Sequence, residues 1–325
     1  MRIPGLKTTR RVVRQFRSRW LGSAIILGYH RIAAEGKDPF SMSVSPRNFA
    51  EQLTVIRDLA TPISLTALVQ GLQDGRLPQH PVALTMDDGY ADNLYEAQPL
   101  LERYEIPATI FMVSGYLGQA FWWDELAQLV FTEGSFADGI CLKIAGKEFE
   151  WQPEQAEDME KQREHLLETL YRVFRPLSNQ ERQKTMGQLR SWIGDVQLEM
   201  FHHRALTSAE LNTLADCPLI EIGSHTHTHP ALADLPLTEQ EREIEHSQAE
   251  LTEIIDQAIS GFSFPNGSYS AATQKMLRKA AYTYACSSDQ DTARHIKQCY
   301  QLPRLWVPNV AGEEFGRWLR DWLHV

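Results

Sequence analysis

The sequence predicts a parallel α/β fold, and three observations carry that expectation. Short apolar runs alternate with segments of helical periodicity along most of the chain. Residues able to do chemistry (His30, Asp87-Asp88, Ser224-His225, Asn266 and Ser287-Ser288) fall just past the C-terminal ends of the apolar runs. In an α/β barrel that rim is where active sites are built. Finally, 325 residues, 43% of them hydrophobic and 23% charged, match an ordinary globular chain long enough for one large domain or two smaller ones.

The elements follow in order. Ala24–Tyr29 is an apolar run ending at His30, the first strand. Ser45-Pro46 pairs an N-cap residue with proline at the first helical position, and Phe49, Leu53, Ile56 and Leu59 then recur at helical spacing. Pro62–Leu65 reads as a short strand and Thr66–Leu72 as a short helix that stops before Asp74-Gly75. Val82–Met86 is a buried strand, followed by a helix over roughly 92–104, interrupted by Pro99, and a strand at Ala108–Val113. Residues 119–206 hold a tryptophan-rich piece and long polar helical segments, far more than a crossover helix needs, and read as an inserted helical subdomain or lid. Thr207-x-x-Glu210 and Thr238-x-x-Glu241 have the form of capping boxes. They flank a strand at Leu219–Ile222 and precede strands at Gly261–Phe264, Tyr284–Cys286 and Tyr300–Leu302, with a helix over Ala271–Ala281 and a C-terminal helix in 311–325. The α/β body therefore comprises 24–118 and 207–310, preceded by a basic leader over 1–23.

Charge narrows the partners. Residues 1–34 carry eight Lys/Arg and no acid, within a chain of net charge -10. The acidic body argues against nucleic acid. The basic head admits peripheral contact with an anionic membrane, the favoured alternative being a solvated leader. The apolar part Leu21–Leu27 is short and lacks a small-residue cleavage site, and no apolar run is long enough to span a bilayer, so a cytoplasmic protein is expected. Four scattered cysteines without a Cys-x-x-Cys pair read as reduced thiols.

The chemistry concentrates at two strand ends. Asp87 and Asp88 stand side by side after a buried strand, where like charges repel and a cation relieves them. A cation on one Asp leaves the other ionised and able to take a proton; the plain alternative is an Asp-Gly turn. His225 and His229, four residues apart, share a face on one helical turn, and two imidazoles with one carboxylate leave a zinc coordination position open. His227 between them reads as a neighbour, unless the local backbone is extended.

Thr85-Met86-Asp87-Asp88-Gly89, the His225…His229 pair and Phe264-Pro265-Asn266-Gly267 resemble three motifs of the polysaccharide deacetylases, the NodB-homology domains of carbohydrate esterase family 4. Gly28-Tyr29-His30-Arg31 is similar to the opening of exopolysaccharide-associated members. The resemblance, over roughly 24–118 and 207–305, implies a distorted (β/α) barrel. It also implies a metal, zinc first and Co2+, Ni2+ or Mn2+ as alternatives, on Asp88, His225 and His229. Asp87 then serves as general base toward a metal-activated water. A backbone N–H near Asn266, in the Pro265-Asn266 motif, assists the oxyanion. The implied activity is removal of N-acetyl groups from an N-acetylhexosamine-containing glycan or its precursor. The alternatives are an O-acetyl ester or small-amide substrate, or a degenerate glycan- or partner-binding protein.

Three departures from the family pattern stand out. Ser263 occupies the place of the arginine that orients the base, so another group must do so. The motif with Asp and Trp is not evident near Ser287-Ser288-Asp289, and Leu302-Pro303-Arg304-Leu305 offers no histidine as general acid. His30, His295 and Arg304 (the last as an electrostatic substitute facing substrate) are the candidates, His30 preferred because it ends a strand on the same rim. Trp123 is a candidate sugar-stacking residue; an aromatic clamp holding the insert to the barrel is the alternative.

Overall fold

The computed structural model describes residues 23–33, 38–132, 139–154, 158–194, 203–294 and 299–324. The basic leader up to residue 22 and His295 lie outside the described residues. Strands are β1 Ile25–Tyr29, β2 Arg31–Ile32, β3 Ser43–Val44, β4 Thr61–Pro62, β5 Pro81–Met86, β6 Ala108–Met112, β7 Ile140–Ile144, β8 Lys147–Trp151, β9 Ile220–Ser224, β10 Gly261–Ser263, β11 Tyr284–Cys286 and β12 Leu305–Trp306. Helices are α1 Pro46–Leu59, α2 Leu65–Asp74, α3 Gln98–Tyr104, α4 Trp122–Phe131, α5 Met159–Phe174, α6 Asn179–Ile193, α7 Ser208–Ala215, α8 Leu237–Ile255, α9 Ala271–Lys279 and α10 Gly312–Leu323.

The main sheet is wholly parallel and runs β11-β10-β9-β6-β5-β1-β12, with β4 beside β5. It curls into a (β/α) half-barrel because short apolar strands, buried on both faces, are covered by helices outside. Residues 302–306 span the gap between the sheet edges. Leu302 bridges Cys286 of β11 in parallel, and Leu305 and Trp306 pair with Leu27 and Gly28 of β1. The expected strand Tyr300–Leu302 is thus only a bridge, and the true strand follows Pro303, which has no N–H to donate to a ladder.

Local rules account for most element ends. Ser45 accepts from the Asn48 N–H to open α1, and Thr207 and Glu210 close a reciprocal capping box on α7. Ser64, expected inside a strand, instead caps α2, which ends on left-handed Gly75. Thr238 does not cap α8; the helix begins earlier, after Pro236. Pro99, lacking an N–H, divides the expected 92–104 helix into a π-turn at Asn93–Ala97 and α3.

The segment 119–206 carries α4, α5 and α6 around an apolar cluster built on Trp122, Leu126, Leu166, Leu170, Phe174 and Met186, which Tyr90, Val113 and Tyr116 of the barrel join. It also holds the antiparallel hairpin β7–β8, whose alternation Ile140, Leu142, Ile144 was overlooked in expecting helices alone. Among the described residues no helix is long and apolar enough to cross a membrane.

Candidate metal centre

Asp87 and Asp88 leave β5 in different directions. Asp88 takes φ 73° and Gly89 takes the same value, a left-handed corner that swings the two carboxylates apart. Only glycine fits at 89, since a Cβ there would lie 2.2 Å from Met112 Sδ. Thr226, His229 and Asn266 are left-handed as well. Strained backbone therefore gathers on one rim of the barrel, as it does at functional sites.

Asp87, 3% exposed, is held by Arg304. Nη1 donates to Oδ1 and Nη2 to Oδ2, both at 2.7 Å, and Ser263 Oγ adds a third donor at 3.2 Å. The remaining guanidinium hydrogens go to Thr85 Oγ1, Ser263 Oγ and the Ser287 carbonyl, so all five Arg304 donors are satisfied in a fully buried side chain. Burial alone would raise the Asp87 carboxyl; Arg304, with His225, overrides it and holds the group well below the usual carboxylate range. Ser263 is the position where the family pattern expects the arginine. Its small side chain leaves room for a guanidinium arriving from the barrel seam instead. Arg304, expected toward substrate, thus stands behind Asp87 and fixes its orientation; buried as it is, it cannot meet a substrate.

Asp88 has the opposite environment. It is 2% exposed, and its Oδ1 is buried without a hydrogen-bond partner. Burial first, then the Asp87 charge, pushes its carboxyl well above the ordinary range. His225 Nε2 lies 3.6 Å and His229 Nε2 3.5 Å from that orphaned oxygen. His225 Nδ1 lies 2.8 Å from the Ser263 carbonyl, which can only accept, so the proton sits on Nδ1 and the Nε2 lone pair faces Asp88. Burial lowers the pKa of both imidazoles, His225 depressing His229 further. One ligand atom from each of Asp88, His225 and His229 lies within 4.8 Å of the others. An unpartnered carboxylate oxygen facing two neutral imidazole nitrogens fits a divalent cation. The structure brings these three expected ligands together.

His30 ends β1 with its ring stacked on Trp306 at 4.7 Å, and its carbonyl accepts from Asn93 Nδ2. Burial, opposed by Asp87 and reinforced by Arg304 and His225, lowers its pKa to about 4. Trp123 is 3% exposed, stacked on Phe121 at 4.5 Å, tilted against His229 at 4.7 Å, and donating to Tyr90 Oη at 2.8 Å. That ring is a wall behind a metal ligand with no face left for a sugar, so the geometry favours the clamp. Tyr90 in turn donates to Asp124 at 2.7 Å, where burial raises the carboxyl to about 7. Neither Tyr90 nor Asp124 was singled out from sequence; their only signal was position, next to the Asp pair and next to Trp123. Pro265 is buried and Asn266 sits at the rim, its Oδ1 3.5 Å from Tyr171 Oη of α5.

The fold and the site together describe a (β/α)-barrel protein of the hydrolase class, with a candidate His-His-Asp metal centre beside an arginine-locked carboxylate. Comparison with known proteins places it. A family model described as polysaccharide deacetylase matches residues 74–176 and 189–285, and the chain belongs to that family. The chain is 23% identical over 301 residues to YxkH, a polysaccharide-deacetylase-like protein of Bacillus subtilis (strain 168), covering 91% of this chain and 76% of that one. A shorter stretch of 111 residues is 29% identical to the poly-β-1,6-N-acetyl-D-glucosamine N-deacetylase of Staphylococcus aureus (strain MSSA476), covering 30% of this chain and 38% of that one. In three dimensions it is similar to IcaB from Ammonifex degensii, with TM-score 0.61, 16% identity and coverage of 92% and 97% of the two chains.

Proposed function

We propose that this deacetylase removes N-acetyl groups from an N-acetylhexosamine-containing polysaccharide or its precursor, with Asp87 as general base and Asp88, His225 and His229 holding the metal. The observation that carries this reading is the division between adjacent carboxylates: Arg304 keeps Asp87 ionised, and Asp88 offers an unpartnered oxygen to two imidazoles. Two imidazoles and one carboxylate favour zinc, with Co2+, Ni2+ or Mn2+ as substitutes. When bound, such a cation acidifies water and polarises a carbonyl. Asp87, its carboxyl held well below the usual range by Arg304 against burial, accepts the proton, and the Arg304 fork keeps its carboxylate from rotating. His30 is the candidate donor to the departing nitrogen; neutral at rest, it must first receive a proton, and Asp87 is the group that holds one after the first transfer. The backbone at Pro265-Asn266 is the candidate oxyanion support. Tyr171 and Phe40, 5.3 Å apart, bring the 119–206 insert over the rim, and we assign the insert the role of a lid.

The test is acetate release from N-acetylated and O-acetylated oligosaccharides of the same linkage, with elemental analysis alongside. Asp87→Asn is expected to lose turnover and keep metal; His225→Ala loses both. Acetate release by Asp87→Asn at the original rate removes the assigned base. Release confined to the O-acetylated sugar replaces the amide substrate with an ester.

A further inference from the structure

Alternate histidines on an extended chain would share one face. In Ser224–Pro230 they do not, because Thr226 at φ 67° turns the chain, and His227 points away from the centre that His225 and His229 build. It meets α8. His227 Nδ1 lies 2.8 Å from Glu250 Oε2, and His246 Nε2, one helical turn before Glu250, lies 3.2 Å from Oε1. The two imidazoles stack with centroids 4.2 Å apart. One ligand atom from each residue falls within 4.8 Å of the other two. Ser114 Oγ, 2.5 Å from Glu250 Oε2 and 3.1 Å from His227 Nδ1, borders the cluster and donates to the carboxylate.

We propose that His227, His246 and Glu250 form a second divalent-cation site, on the outer side of the loop that carries the first. Two imidazoles and a carboxylate are a zinc-type donor set that leaves a coordination position for water. The donors already converge, so binding needs little rearrangement. His246 is half exposed and His227 and Glu250 are partly so, which gives an ion direct access from solvent. A cation here ties three elements together: the ligand loop through His227, α8 through His246 and Glu250, and the turn after β6 through Ser114. The loop is anchored on this side already, since Glu243 Oε2 accepts from the N–H groups of His227 and Thr228, and Gly115 N–H donates to the His227 carbonyl. The outer ion would stiffen the peptide that sets the spacing of His225 and His229 without touching substrate.

The experiment titrates chelator-treated protein with Zn2+ alone, and with Co2+ alone to read coordination from its visible absorption. Wild type is expected to take up two equivalents at micromolar concentrations or tighter, His225→Ala one, and His246→Ala with Glu250→Gln one. The His225→Ala protein should also gain thermal stability on adding Zn2+, and that gain should vanish when His246→Ala and Glu250→Gln are added. A single equivalent in wild type that His225→Ala abolishes and His246→Ala with Glu250→Gln keeps overturns the second site. So does an unchanged count in His246→Ala with Glu250→Gln, whose solvent-facing positions spare the fold even if His225→Ala does not fold. Because stoichiometry is read without substrate, failure of this site leaves the deacetylase assignment standing, and the reverse holds.

Discussion

Replacing Arg304 by methionine isolates what the guanidinium does for Asp87. Methionine keeps much of the volume against Trp306, whose ring lies 4.7 Å from the guanidinium carbon, and removes the charge and all five donors. Asp87 would then be a 3% exposed carboxylate keeping only the Ser263 hydroxyl and the neighbouring His225. Removing one partner of a buried ion pair costs about 3–5 kcal/mol, which for a chain of this length is a Tm fall of roughly 5–10 °C. The second effect is on charge. With the guanidinium gone, burial loses its largest opponent and only His225 and His30 still act against it, so the Asp87 pKa rises. A base must be deprotonated to act, so the acidic limb of the kcat/KM profile moves to higher pH and activity near neutrality drops. Arg304→Lys restores a point charge without the fork and should fall between the two. The assay is acetate release across pH on protein shown to be folded at the assay temperature. An Arg304→Met enzyme with an unshifted acidic limb would refute the argument that Arg304 sets the ionisation of Asp87, however much stability it had lost.

Other outcomes follow from the same geometry. Asp88→Asn should lose tight metal binding yet stabilise the chelator-treated protein by about 1–3 kcal/mol, because it removes an uncompensated buried charge and because asparagine tolerates the φ of 73° at this position. The gain should grow as pH rises, since an acid whose pKa is raised on folding destabilises the fold above its unfolded value; urea melts at pH 5 and pH 8 measure it. Trp123→Ala should cost about 3–5 kcal/mol in thermal unfolding with little change in KM; a raised KM at unchanged stability would return the ring to the sugar. Glu210, whose carboxyl is drawn down to about 2 by hydrogen bonds from Arg204, Thr207 and Tyr95, contributes stability above its ordinary value of 4.5 that is lost as pH falls toward 2. Glu210→Gln should therefore flatten the acid-unfolding curve over that window.

The candidate metal ligands were legible because each sits in a local motif at a strand end: Asp-Asp-Gly after an apolar run, and two histidines four apart. The parallel barrel was legible from the same strand rhythm. Arg304 was seen but misplaced. Its partner lies 217 residues earlier, and its direction depends on which residues of 300–306 pair with which edge. Pro303 was read as ending a strand when it precedes one, and that error reverses the face on which the next side chain appears. The vacancy at Ser263 announced that some other group must orient the base, but no one-dimensional pattern says which. The β7–β8 hairpin was missed because polar helical segments dominate its surroundings, and the Tyr90–Asp124 pair because nothing in either residue's neighbours distinguishes a buried tyrosine from an exposed one.

The seam between β11 and β12 has a consequence in time as well as in space. The candidate metal ligands lie between residues 88 and 229, yet the cation that keeps Asp87 charged arrives at 304, just before the strand that pairs with β1 at the start of the described chain. A nascent chain that has already brought Asp88, His225 and His229 together still has a base without its counterion. Only when the last strand docks against the first does the carboxylate acquire its partner, so the ionisation of Asp87 is tied to the pairing of β12 with β1.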